Sequence, residues 1–242
     1  VALKLPNAAC RWHDGSVMGK RGNVTVIVPM KPLSQAKSRL RVPAELGSPR
    51  PTSSELATAF LEDVIRATTA SQSVSRTLLT STDLAVEQIA GSHGIDFLSE
   101  SPGAIPDKNP WSKLNAAAVS AVADAFEDSR CSFALLVPGD LAALRPKTIE
   151  AIVRRTTALG ASTFVRDHTD TGTTMLCVAR AHHVEPAFGG ESAAAHARAG
   201  AIDITISAPP DARLDVDTWA DLIAAQHLGL GANCQQLLSC QP

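Results

Sequence analysis

The sequence predicts an α/β domain, a sheet covered by helices, and three observations lead to it. From residue 24 onward, short runs rich in β-branched residues alternate with longer segments of helical periodicity. A chain of 242 residues can bury one substantial core. A hydrophobic fraction of 45% with 19% charged residues fits an ordinary globular protein. No apolar run approaches the roughly 20 residues that cross a bilayer, so no membrane role is expected.

Strands are expected over residues 24–29, 76–80, 95–99, 132–137, 161–165, 173–179 and 202–207. Between them, "SSELATAFLEDVIRATTA" puts Leu56, Phe60, Val64 and Ile65 on one helical face, with Ser53 or Ser54 as N-cap. "SKLNAAAVSAVADAF" reads as a second core-facing helix. "PKTIEAIVRRTTALG" reads as a third, opening near Pro146 and closing at Gly160. "DTWADLIAAQHLGLG" is a further helix, with Asp217 as its expected cap. One domain over residues 23–231 follows. Residues 1–22 are read as a flexible extension, with Met18 close to the start of the folded part, and residues 232–242 as a tail. The long punctuated stretch "SESPGAIPDKNPW" is a loop of a length that often carries function.

Lys and Arg total 22 against 24 Asp and Glu, a net charge of −2, so no global field is available to hold a nucleic acid. Any anion must be bound locally. The five cysteines, Cys10, Cys131, Cys177, Cys234 and Cys240, lack the C-x-x-C spacing of a zinc or redox site. They read as reduced thiols of a cytoplasmic protein.

Ligands of open α/β sheets gather beyond the carboxyl ends of the strands, and four polar clusters fall at such ends. In "VIVPMKPLSQAKSRL" an apolar strand runs into Lys31, Lys37 and Arg39; this is either a phosphate-binding loop or a solvated surface loop. In "FALLVPGDLAAL" a buried strand ends at Asp140. A carboxylate there is costly unless paired or bound to a cation, and the alternative is a turn cap. In "LDVDTW" Asp215 and Asp217 flank Val216, so an extended segment turns both carboxylates to one side, where a hard cation such as Mg²⁺ relieves their repulsion. In "DTGTTMLCVA" and "FGGESAAAH", Gly172, Thr173, Gly189 and Ser192 offer hydroxyls and close amides for a second phosphate, or simply make tight turns. His196 reads as a surface or capping histidine.

In this order, "VPMKPLSQAKSRL", "NPWSKLNAAA", "VPGDLAAL", "DTGTTMLC", "FGGESAAAH" and "LDVDT" resemble the CofC/FbiD family, which makes guanylylated intermediates of coenzyme F-420. The resemblance spans residues 24 to 229. It implies a single-domain nucleotidyltransferase fold of the glycosyltransferase-A-like type, with a mixed, mostly parallel sheet. It also implies a Mg²⁺-dependent reaction joining GTP to phosphoenolpyruvate with release of pyrophosphate; 2-phospho-L-lactate is the alternative acceptor. By the same resemblance Asp140, Asp215 and Asp217 meet the metal, and Thr173, Gly189 and Ser192 meet the acceptor acid. Lys31, Lys37, Arg39, Asn109 and Asn115 meet the nucleotide, and the "TSTD" turn at 80–83 reads the base. Lys31, Asp140 and Asp217 are the expected catalytic residues.

The chain departs from the family pattern at Asp170, Ala142 and Ala195, where Gly, Pro and Arg are usual. An added carboxylate and a lost cation both disfavour an acidic acceptor. Expected partners are therefore GTP and a small phosphorylated three-carbon acid, with room for a homodimer and none for nucleic acid. Rival readings are a nucleotidyltransferase acting on a sugar phosphate and a non-catalytic GTP-binding regulatory module.

Overall fold

Six strands of a seven-stranded sheet run parallel and one, the sixth in the chain, runs against them. The computed structural model describes residues 22–37, 40, 50–100 and 111–239. The strands are β1 (Val24–Pro29), β2 (Val74–Ser81), β3 (Asp96–Ser99), β4 (Phe133–Leu136), β5 (Thr163–Arg166), β6 (Thr173–Ala179) and β7 (Ile202–Asp203), in the order β3-β2-β1-β4-β6-β5-β7. β1 lies central, with five consecutive buried residues from Val24 to Val28, as expected of a parallel strand covered on both faces.

The helices are α1 (Ser53–Ala70), α2 (Leu84–Ser92), α3 (Ser112–Glu127), α4 (Pro146–Leu159), α5 (Ser192–Arg198), α6 (Trp219–Leu228) and α7 (Ala232–Ser239). Val26 and Val28 join Leu61, Val64 and Ile65 of α1 and Ile149 and Ile152 of α4 in one apolar layer. Ile27 joins Ala118, Ala121 and Val122 of α3 in the other. The expected face of α1 is buried throughout: Leu56, Phe60, Val64 and Ile65 are all inaccessible. Among the described residues no helix is long and apolar enough to cross a membrane.

Register determines where loops collect. Ile27 lies opposite Leu136, and Ser81 lies opposite Ser99, so the carboxyl ends of β1 to β4 share one edge. Because β6 is antiparallel and pairs Leu176 with Leu136, its amino end, Thr173, projects beyond that same edge. One reversed strand thus brings the "DTGT" turn to the end where the parallel strands present their loops.

Several sequence expectations need correction. The strand expected over 202–207 ends at Asp203, whose carboxylate accepts from the Thr205 amide at 2.9 Å and from its hydroxyl, turning residues 205–207 into a 3-10 turn. α1 is capped by Thr52 rather than Ser53 or Ser54: Thr52 and Glu55 form a reciprocal capping box, and Ser53 donates instead to the Leu40 carbonyl. α6 is capped by Thr218 with Asp221, which frees Asp217 for other contacts. Arg39, Asn109, Cys10, Cys240, residues 1–21 and most of the 99–111 loop lie outside the described residues. Of the cysteines described, Cys131, Cys177 and Cys234 are buried free thiols, and burial pushes that of Cys177 up to about 12.

Residues 232–239, read from the sequence as tail, form α7 and pack on α1. The buried Asp63 of α1 accepts from the Asn233 amide at 2.9 Å, the Asn233 side chain at 3.0 Å and the Cys234 amide at 3.0 Å, so α1 supplies the cap of α7. Gly231 allows this approach, since a Cβ there would lie 2.2 Å from the Asp63 carboxyl carbon. Its amide in turn donates to the Ala142 carbonyl at 3.0 Å, tying α7 to the loop that carries Asp140. Asp63→Ala is expected to cost about 2 kcal/mol, the scale of a lost cap plus orphaned amides. Urea unfolding checks the loss, and faster amide exchange confined to residues 232–239 checks its location.

Candidate active site

Three segments distant in the chain meet at the common strand edge. Lys37 Nζ lies 2.5 Å from Asp140 Oδ2 and 2.8 Å from Asp217 Oδ1. Two backbone bonds lock the same junction: the Asp140 carbonyl accepts from the Val216 amide at 3.1 Å and from the Ala142 amide at 3.0 Å. The alternation expected of "LDVDTW" holds, with Leu214 and Val216 buried and Asp215 and Asp217 on the more open side. The loop after β1 is anchored by Asp83, whose carboxylate accepts from the Leu33 amide at 2.8 Å while its other oxygen caps α2.

The cluster is electrostatically unbalanced. Burial works against charge on Lys37, whose side chain is 7% exposed, yet Asp140 and Asp217 outweigh it and hold the ammonium above its usual pKa. Burial, followed by repulsion from Asp140 and Asp217, pushes Asp215 up to about 6. Asp140 Oδ1 and Asp215 Oδ1 are buried without a hydrogen-bond partner; His168 Nδ1 approaches the latter only to 3.6 Å. Lys37 also holds a left-handed backbone, φ 57°, which costs a non-glycine residue about 1 kcal/mol and more.

A divalent cation fits this donor set. Orphaned carboxylate oxygens and a carboxyl driven toward neutrality are what a hard cation would relieve. Among the described residues no group of three His, Cys, Asp or Glu forms a ready metal cage.

A second constellation lies around the amino end of β6. Thr173 Oγ1 is 3.0 Å from His196 Nδ1, and Ser192 and His196 of α5 are both buried. Gly189 packs against the Trp111 ring, with Trp111 Cδ1 3.3 Å from where a Cβ would sit, and its φ of 152° favours glycine. Lys31 lies over that same ring, 5.1 Å from its centre, so the loop after β1 and the Gly189 turn meet across Trp111.

Asn115 turns its amide onto the main chain of Phe188, donating to its carbonyl at 3.0 Å and accepting from its amide at 2.7 Å, so it positions the Gly189 turn. In the "TSTD" turn, Thr80 donates to Glu100 at 3.1 Å, and Ser81 and Asp83 are engaged in local bonds. The expectation of a surface or capping His196 is corrected: the residue is fully buried, because β6 and the 187–188 segment close over α5. Trp111 and His168 were missed by sequence reasoning. Both sit at a loop edge, and only the fold brings them to the site.

Asp170, where the family pattern has Gly, has φ 65° and is paired with Arg213 at 2.6 Å. The left-handed backbone accounts for the usual glycine, and Arg213 neutralises the added carboxylate.

Thirty-five per cent of 207 aligned residues are identical to the phosphoenolpyruvate guanylyltransferase of Streptomyces scabiei, covering 86% of this chain and 92% of that one. The enzymes of the same name from Nocardia farcinica, at 36% over 215 residues, and Mycolicibacterium paratuberculosis, at 35% over 221, cover 89% and 91% of this chain and 90% and 92% of their own. No protein-family model matches the chain. Among solved structures, a protein assigned as a nucleotide-diphospho-sugar transferase from Desulfovibrio desulfuricans superposes with a TM-score of 0.61 at 12% identity, over 90% of this chain and 97% of that one. A 4-diphosphocytidyl-2C-methyl-D-erythritol synthase gives 0.56 at 11%, over 86% and 99%. These structures share the fold of this chain.

The raised Asp215 carboxyl predicts a pH-dependent stability. Its neutral form favours the fold at acid pH, and that contribution is lost as pH rises toward and through about 6. In chelator, Asp215→Asn should melt at a higher temperature than the parent chain near about pH 7.5, and the gap should close toward about pH 4. Paired thermal unfolding curves check this.

Proposed function

Because the chain belongs to the phosphoenolpyruvate guanylyltransferase family, we propose that it joins GTP to phosphoenolpyruvate and releases pyrophosphate. A phosphate oxygen of the acceptor attacks the α-phosphorus of GTP, a bond to that phosphorus forms, and the bond to the β,γ-pyrophosphate breaks. The nucleophile is already anionic at neutral pH, so no base is required. The difficulty is the repulsion between two polyanions, and the remedy is neutralisation and alignment.

The observation that carries this reading is the meeting of Lys37, Asp140 and Asp217 from segments 103 and 180 residues apart. Asp140, Asp215 and Asp217 would hold Mg²⁺, which when bound neutralises phosphate charge and orients the reacting groups. Lys31 and Lys37 offer ammonium groups to the triphosphate; Lys37 releases its carboxylates as it does so. Arg39 and Asn109 are proposed for the same nucleotide on sequence grounds alone. Asn115 acts through the Phe188 main chain, which it holds. Thr173, Gly189 and Ser192 form the acceptor subsite, with the pairing of Asp170 to Arg213 leaving that subsite free of an uncompensated carboxylate.

Incubation with GTP, Mg²⁺ and phosphoenolpyruvate should yield pyrophosphate and a product with the mass of enolpyruvyl-diphospho-guanosine. Turnover only with 2-phospho-L-lactate or a sugar phosphate would replace the acceptor, and GTP binding without any turnover would favour a regulatory module. Asp140→Asn and Asp217→Asn should each lower kcat by at least about a hundredfold with the fold intact. Near-normal rates in both would remove the metal assignment.

A further inference from the structure

His196 has both ring nitrogens engaged in the interior. Nε2 lies 2.9 Å from the Ala187 amide and Nδ1 lies 3.0 Å from Thr173 Oγ1. The ring is inaccessible to solvent and packs edge-on to Phe188, centroids 5.4 Å apart, and at a tilt to Phe164, 6.1 Å away. A backbone amide can only donate, so Nε2 must carry the lone pair. Burial holds the imidazole down at about 4, so the ring is neutral at physiological pH and its one proton is on Nδ1. Nδ1 therefore donates to Thr173. The threonine oxygen accepts that bond, and its own hydrogen has to turn away from the ring.

We propose that His196 is a positioning residue for the acceptor: by donating from Nδ1 it makes the Thr173 hydroxyl a donor toward an anionic oxygen of the bound acid, and by accepting from Ala187 it sets the wall that ends in Gly189. Carboxylate and phosphate oxygens only accept, so a hydroxyl of fixed donor sense discriminates in their favour. The same wall is held from its other side by Asn115, which grips both main-chain groups of Phe188. The inference rests on the acceptor assignment of Thr173 and Gly189 made above.

Two measurements test it. A long-range proton–nitrogen correlation spectrum of the labelled full chain, assigned by comparison with His196→Gln, should show a protonated Nδ1 and a bare Nε2. Kinetically, His196→Gln can keep the Ala187 bond through its amide oxygen but loses the donor to Thr173. It should raise the KM for phosphoenolpyruvate about tenfold while the KM for GTP stays within about twofold, the scale of one hydrogen bond to a charged group.

In a Thr173→Val background the same substitution should add nothing, whereas a packing role would add its full effect again. Should His196→Gln fail to fold, Thr173→Ser against Thr173→Val carries the kinetic arm, with Ser retaining the wild-type acceptor KM. A protonated Nε2, a charged ring, or equal changes in both KM values would overturn the proposal. If the wild-type chain shows the Nδ1 tautomer but turns over no phosphoenolpyruvate, the reaction reading falls and the acceptor role falls with it, while the direction of the hydrogen bond stands.

Discussion

Mutual repulsion among Asp140, Asp215 and Asp217 is the constraint around which the rest of the molecule is arranged. Three carboxylates brought to one edge of a sheet destabilise the fold unless positive charge joins them, and among the described residues Lys37 brings that charge to Asp140 and Asp217. The lysine reaches them from a loop held by Asp83 and in a backbone conformation that costs energy. Such a cluster fits the proposed ligand site, where bound positive charge would restore the stability given up. A bound divalent cation would supply the missing positive charge, which links the weakness of the site to the proposed chemistry.

The scaffold accounts for how these groups meet. A sheet with aligned carboxyl ends gathers the loops after β1 and β4, and the reversal of β6 adds the turn before Thr173. The proposed nucleotide and acceptor subsites therefore share one rim. Trp111 lies between them, touching Lys31 on one side and the Gly189 turn on the other. The proposed acceptor side is built from internally bonded parts, with His196 and Asn115 fixing two successive residues of its wall. The proposed cation side is built from the charged side chains of Lys37, Asp140 and Asp217.

Much of this was legible from residue order because burial writes itself into periodicity. β1, β6 and α1 have the bounds that their apolar patterns suggest, since each is packed along its whole length. β7 did not, because Asp203 can satisfy the Thr205 amide locally and ends the strand where the apolar alternation continues. The helix caps at Thr52 and Thr218 were displaced by one residue or two from the expected serines and Asp217, as reciprocal bonds to Glu55 and Asp221 decided the matter. α7 was invisible because its cap, Asp63, comes from another helix. In the site, acidic residues at strand ends announced themselves by the cost of burying charge. His196 and Trp111 did not, since their significance lies in partners remote in sequence, which only the fold identifies.

We propose that the three aspartates act together on a divalent ion shared with substrate phosphate. Electron paramagnetic resonance of Mn²⁺ titrated into the full chain, with and without a non-hydrolysable GTP analogue, measures it most directly. Nucleotide should strengthen Mn²⁺ binding, and Asp140→Asn or Asp217→Asn should weaken the nucleotide-dependent affinity at least about tenfold. Equal Mn²⁺ affinity in the parent chain and in both variants, with nucleotide present, would contradict the account.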